Sequence, residues 1–231
     1  RLQTDYIDFY LLHAVNKEKW DAMKELGVVE YCAKLKEEGK IRYYGFSFHD
    51  DYEVFDEILH YRDWDFCQIQ YNYMDTQEQA GDKGYALAES LGVPLVIMEP
   101  IKGGSLANFS EDINDRFHKM DPDRSVASYA LRWVGSHPNV KVILSGMSTM
   151  DQVEDNLKTF QDFSPLSEAE EKEIESIVTE LRSRVQNGCT GCRYCMPCPA
   201  GVNIPGNFKV WNNYHMYRTY DHVKWSWEKE L

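Results

Sequence analysis

From residue 6 to residue 160, short apolar runs alternate with longer amphipathic stretches. YIDFYLLH (6–13) is aromatic and β-branched, so it predicts a strand, and that strand ends on a histidine. Residues 18–38 follow with apolar positions at helical spacing. GKIRYYGFS (39–47) opens on a glycine stop and predicts a second strand, followed by a helix over DYEVFDEILHY (51–61). FCQIQYN (66–72) predicts a third strand and 77–91 a third helix. VPLVIME (93–99) is a fourth strand, RSVASYALRWVGSH (124–137) a helix, and VKVILSG (140–146) a fifth strand. TMDQVEDNLKTF (149–160) is the fifth helix, with Thr149 placed to cap it.

Strands alternating with helices imply parallel βα units. Five such units occupy residues 6–160, at roughly 30 residues each. The stretch 100–123 reads as a long loop after a strand end, a place where barrels carry binding loops. SPLSEAEEKEIESIVTELRSR (164–184) is an acidic surface helix, with Ser167 as N-cap and Glu170 closing a capping box. Beyond a cysteine-rich segment, the tail 206–231 is rich in Trp and Tyr and reads as helical. The predicted division is 1–163 for the βα part and 164–231 for the acidic helix, cysteine segment and aromatic tail.

The composition changes this picture in two ways. The chain has 231 residues, 43% of them hydrophobic, which suits one folded domain with an appendage. Its net charge is 25 − 38 = −13, which disfavours nucleic acid and anionic lipid as partners. No apolar run reaches the ~18 residues of a membrane span and no signal peptide is visible, so the expectation is a cytoplasmic protein. Arg1 is not an initiator methionine, and the pattern opens in mid-course, as expected of a fragment or a processed chain.

Of six cysteines, four lie together as CTGCRYCMPCP, a C-x2-C-x2-C-x2-C-P run formed by Cys189, Cys192, Cys195 and Cys198. Thiols so clustered point to a metal before they point to disulfides. The spacing wraps thiolates tightly, as a [4Fe–4S] cubane needs, although bacterial ferredoxins space the last cysteine by three residues rather than two. Two readings of the fourth ligand stand, Cys198 or a distant cysteine such as Cys67. Zinc is the alternative occupant. Cys32 and Cys67 otherwise read as core thiols.

The runs LQTDYIDFYLLH, GKIRYYGFSFHD, QIQYNYMD, MEPIKGGSL and LSGMSTMDQVEDNL, in that order, resemble successive strand-and-loop signatures of the aldo/keto reductases across residues 1–160. The cysteine tail resembles the branch of that family with an appended ferredoxin-like motif. The resemblance implies an α/β fold: part of a TIM (β/α)8 barrel, about five βα units, with a helical iron–sulfur extension. A closed barrel of ~250 residues would need three more units.

That family uses an Asp, Tyr, Lys and His tetrad, the tyrosine protonating a carbonyl oxygen as a nicotinamide delivers hydride. Only the histidine carries over, onto His13; the other three belong to strands that precede this chain. A histidine at a strand end is otherwise an ordinary surface residue. The resemblance further implies that Ser47 and Gln68 hold the nicotinamide carboxamide and that Met98 covers the ring where the family has an aromatic. It implies that Lys102, Gly103, Gly104, Ser105 and Leu106 pass the pyrophosphate, and that Gly146, Gln152 and Asn156 meet the adenosine. In blander terms KGG is a flexible turn, and Gln152 and Asn156 are solvated helix residues. The family often has Asn after the serine, where this chain has Phe48. Around the adenosine end no Lys or Arg matches a 2′-phosphate, so NADH rivals NADPH.

The function implied is NAD(P)H-dependent reduction of a small aldehyde or ketone by the full-length protein, with an electron-transfer partner for the cluster. The fragment alone would be inactive and able to self-associate through an open barrel edge. The alternatives are a non-catalytic iron–sulfur redox or interaction protein on a degenerate barrel, and an interaction module holding zinc.

Overall fold

The structure is a computed structural model that describes residues 3–218 and 220–230. The chain forms two compact units. The first comprises residues up to Pro100 together with Val134–Ser148, and the second Ile101–Trp133 with the remainder from Thr149.

The first unit holds five strands: β1 (Ile7–Val15), β2 (Ile41–Phe48), β3 (Phe66–Gln70), β4 (Leu95–Met98) and β5 (Val140–Ile143). They form one sheet in the order β1-β2-β3-β4-β5 with every neighbouring pair parallel. Consecutive order and uniform direction are what successive right-handed βα crossovers produce, so the predicted alternation of strand and helix holds.

Side chains alternate across a strand. Tyr44, Phe46 and Phe48 of β2, Cys67 and Ile69 of β3, and Leu95 and Ile97 of β4 are all at most 1% exposed. They face the helical layer of α1 (Lys17–Glu25), α2 (Val28–Glu37), α3 (Tyr52–Tyr61) and α4 (Gly81–Ser90). Phe55 of α3 packs on Phe46 and Phe48 at ring distances of 5.9 and 5.0 Å. The opposite face is built in layers set by register. Phe9 stacks on Tyr43 at 4.8 Å. Leu11, Gly45 and Phe66 form the next layer. Gly45 has no room for a side chain, since a Cβ there would meet the Phe66 carbonyl oxygen at 2.4 Å and its ring at 2.9 Å. Ser47, Gln68, Val96 and Val142 follow, then Gln70 with Met98. On this face Phe9 is 65% and Val142 47% exposed, a large apolar area at the two edge strands of the sheet.

Several boundaries differ from the sequence reading. The helix over 18–38 is two helices, because Gly27 at φ 67° enters the left-handed region and ends the first. The predicted loop 100–123 contains a 3-10 turn at Lys102–Gly104 and a helix, α5 (Glu111–Met120), in the second unit. Its apolar side is narrow, with Ile113 and Phe117 one turn apart and fully buried, so charge masked it in the sequence. The fifth strand stops at Ile143 rather than 146.

The second unit also holds most of α6 (Val126–Gly135), then α7 (Met150–Gln161), α8 (Glu168–Ser183), α9 (Ile204–Tyr217) and α10 (Tyr220–Glu230). Phe117 packs on Phe109 and Tyr129 at 5.8 and 5.2 Å, and Phe109 lies 6.2 Å from Tyr217. Arg116 joins α5 to α8 through Glu173 and Glu180 at 2.7 and 2.9 Å. The expected capping box forms at Ser167–Glu170, and Thr149, expected only as a cap, forms a second box with Gln152.

Candidate active site

Parallel α/β sheets bind ligands at the carboxyl ends of their strands, because the connecting loops converge there and the side chains point into a shared mouth. In the first unit that end carries polar residues where the opposite end carries Phe9 and Tyr43. His13 is exposed, one residue before Ala14, whose φ of 50° interrupts β1 and lets both Leu12 and Val15 face the helices. The Ala14 amide donates to Ser47 Oγ at 2.7 Å, which ties the His13 segment to a serine only 1% exposed. Ser47 pairs in register with Gln68, whose Nε2 lies 3.4 Å from Met98 Sδ. His13, Ser47, Gln68 and Met98 are therefore brought together across four adjacent strands.

A second set of residues, not singled out from the sequence, lies beside them. Asn72, fully buried, accepts the amides of Met74 and Asp75 at 3.0 Å and donates to the Glu99 carbonyl at 3.1 Å. Gln70 donates to Asp75 at 3.0 Å and accepts from Gln79 Nε2 at 3.2 Å. Lys19 Nζ donates to the Ala14 carbonyl at 3.0 Å. His49, just past β2, has its pKa held below the usual imidazole value by burial, and then by the neighbouring His13 and Lys19, against the opposing pull of Glu99 and Gln79. The signal for this set was present in the sequence as QYNYMD and FHD. Polar residues that follow apolar strands read as loop, however, until register shows where they converge.

The other expected contacts fall elsewhere. Gly146 follows β5 in the first unit, and a Cβ there would meet nothing within 4 Å. Lys102–Leu106 lie in the second unit. Lys102, Gly103 and Gly104 all have positive φ, and the amides of Gly104, Ser105 and Leu106 donate to the carbonyls of Ile101 and Lys102. Those three donors are thus engaged within the turn, and Leu106 is fully buried. Gln152 and Asn156 stand on the first turns of α7, and Gln152 Oε1 accepts the Thr149 amide at 3.3 Å, so its carbonyl serves the helix cap.

The four clustered cysteines lie between α8 and α9. Cys189, Cys192 and Cys195 are exposed and Cys198 is half-buried. Asn212 clamps the approach to them, accepting the amides of Gln186 and Asn187 at 3.1 and 3.0 Å and donating to the Asn187 carbonyl at 2.7 Å. The Tyr194 amide and the Thr190 hydroxyl, hydrogen-bonded to Cys192, hold its thiol below the usual range. Among the described residues no three His, Cys, Asp or Glu side chains are grouped to hold a metal, so these thiols do not converge here. Cys67 is fully buried on the helical side of β3 and its thiol is pushed up by burial, which suits a core thiol rather than a cluster ligand. Among the described residues no helix is long and apolar enough to cross a membrane.

Comparison with known proteins agrees with the parallel α/β fold. An uncharacterised oxidoreductase, YqkF, of Bacillus subtilis is 27% identical over 197 residues, covering 76% of this chain and 61% of that protein. The apo structure of aldo-keto reductase AKR11C1 from Bacillus halodurans matches with a TM-score of 0.62 at 29% identity, covering 76% of this chain and 63% of that one. A Klebsiella pneumoniae aldo/keto reductase solved with NADP and acetate has the same fold, at a TM-score of 0.57 and 24% identity, covering 77% of this chain and 60% of that one. The chain spans about three-fifths of the length of these proteins. The sequence model of the aldo/keto reductase family matches residues 1–179, and the chain belongs to that family.

Proposed function

We propose that the full-length protein is an NAD(P)H-dependent oxidoreductase reducing small aldehydes or ketones, with residues 1–163 as part of its barrel and 164–231 as an appended segment. The observation that carries this is the convergence of His13, Ser47, Gln68 and Met98 on four consecutive parallel strand ends in a member of this family. A bound reduced nicotinamide would supply the hydride. His13 holds the carbonyl oxygen through its ring N–H, orienting it for attack. Ser47 and Gln68 take the carboxamide, and the Met98 thioether covers the ring through its polarizable sulfur. Lys102–Leu106 pass the pyrophosphate, and Gly146, Gln152 and Asn156 take the adenosine.

No Lys or Arg lies at Gly146, Gln152 or Asn156 to pair with a 2′-phosphate. A charge-assisted contact there is worth about 1.5–3 kcal/mol, so its lack weakens NADPH relative to NADH by roughly tenfold or more. Residues matching the Asp, Tyr and Lys of the tetrad are not in this sequence, and the 231 residues alone turn over negligible carbonyl substrate.

The spacing and donor chemistry of Cys189, Cys192, Cys195 and Cys198 support one [4Fe–4S] cluster, with an electron-transfer partner, and no step of the reduction is routed through it. Zinc is the rival occupant. The exposed apolar edge of the sheet supports self-association when these residues stand alone.

Fluorescence titration of the full-length protein with NADPH and NADH tests the cofactor reading. Saturable binding of one or both that is weakened by Gln68→Ala is expected. Failure of both nucleotides to bind would overturn it, and a preference for NADPH above about a hundredfold would overturn the reading of the adenosine end.

A further inference from the structure

The mouth of the sheet contains a second imidazole. On β2 the residues facing the helices are Tyr44, Phe46 and Phe48, and those on the other face are Tyr43, Gly45 and Ser47. The His49 amide donates to the Val15 carbonyl at 2.9 Å, so pairing with β1 continues one residue past Phe48. Alternation then sets His49 on the face of Ser47, one layer further out. Its side chain is partly shielded but still open to solvent, so it is not a histidine buried to satisfy the core.

What surrounds it is held firmly. Gln79, His13, Lys19 and Glu99 all lie near enough to act on its ring. Each comes from a different segment, and three of them are fixed from behind. Lys19 is tied to the Ala14 carbonyl, Gln79 to Gln70, and the Glu99 backbone to the buried Asn72. Three non-glycine residues in these segments, Ala14, Gln79 and Glu99, adopt φ of 50°, 53° and 56°. Such backbones persist only where the surroundings over-determine them, and they gather at ligand sites.

We propose that His49 is a ligand-contacting residue, its ring hydrogen-bonding the uncharged carboxamide end of the bound cofactor beside Ser47 and Gln68. This rests on the cofactor reading above. The residue directly after Ser47 cannot make that contact, because Phe48 is fully buried against Phe55 on the other face. With its pKa held low, the His49 ring is neutral at pH 7 and presents one donor and one acceptor. That pair suits an amide, which offers both, and does not suit a phosphate, which takes donors alone.

The test compares NADPH with 2′-phospho-ADP-ribose, which lacks the nicotinamide, on the full-length protein and its His49→Ala and His49→Asn variants, with melting temperatures confirming that each is folded. His49→Ala should weaken NADPH by about tenfold, the equivalent of one hydrogen bond of ~1.4 kcal/mol, and leave 2′-phospho-ADP-ribose unchanged. His49→Asn, which keeps a donor and an acceptor, should recover most of the loss. An unchanged NADPH affinity in His49→Ala, an equal loss for both ligands, or no recovery in His49→Asn would each overturn the inference. If the wild type binds NADH but not NADPH, the same comparison is made with NADH and ADP-ribose; if it binds neither NADPH nor NADH, the cofactor reading itself fails and takes this inference with it.

Discussion

Replacing Glu170 by Gln should destabilise the second unit by about 3 kcal/mol at neutral pH, and the penalty should vanish in acid. Arg132 is only 2% exposed, an unusual place for a guanidinium. It is satisfied there by a fork onto Glu170, at 2.6 and 3.1 Å, and by the carbonyls of Ser164 and Pro165 at 3.0 and 3.2 Å. Burial alone would raise the Glu170 carboxyl. The Arg132 guanidinium, together with the Ser167 amide and hydroxyl, more than offsets that and brings it down to about 2 from an ordinary 4.5. A carboxyl so depressed contributes about 3 kcal/mol above its unfolded pKa. That contribution is lost as pH falls through the window from 4.5 to about 2.

Urea unfolding of wild type and Glu170→Gln at several pH values reads this directly. The gap should be widest above pH 5 and close toward about pH 2, since the glutamine has no proton to take up. Arg132→Met alone should cost about 3–5 kcal/mol, because it leaves a carboxylate buried without its partner, whereas Arg132→Met with Glu170→Leu should cost less than Arg132→Met alone. A Glu170→Gln variant as stable as wild type at pH 7, or a gap that stays constant into acid, would refute the reasoning.

Gly45→Ala should lower the melting temperature by the equivalent of about 1–3 kcal/mol, because its Cβ would run into the Phe66 backbone oxygen rather than a movable side-chain tip; an unchanged melting temperature would show that β2 and β3 can separate. In the chain stripped of any metal or cluster, Cys192 should be alkylated by iodoacetamide before any other cysteine near pH 7.5, its thiol being lowered and exposed, while the buried Cys67 should react only on unfolding; peptide mass spectrometry gives the order. Anaerobic reconstitution of the chain should give about four irons and four sulfides, and Cys192→Ser should reduce both; two irons, none, or stoichiometric zinc would reject the cubane.

The sheet was legible because its strands alternate two distinct environments, and each strand is bounded by a helix with its own period. The acidic helix and its capping box were legible for the same local reason. What escaped was decided elsewhere. Gly27 divides a helix because the chain turns there, yet a single glycine in a long amphipathic run is compatible with helix continuing. Ile113 and Phe117 make a helix of a charged stretch only once a core exists for them to enter. His13, Ser47 and Gln68 were found as strand-end residues of recognisable motifs, whereas His49 sits outside the motif strand by one step. Its place follows from register: the hydrogen bond to Val15 keeps β2 in step with β1 for one residue more, and one residue is enough to turn a side chain from the helical layer to the mouth. The layered face argues the same way. Phe66 can fill the space beside Gly45 only in this register, and that register sets Ser47 opposite Gln68. The glycine that packs the apolar end of the sheet thereby fixes the alignment of the polar end, so a substitution there should disturb ligand contacts two layers away as well as stability.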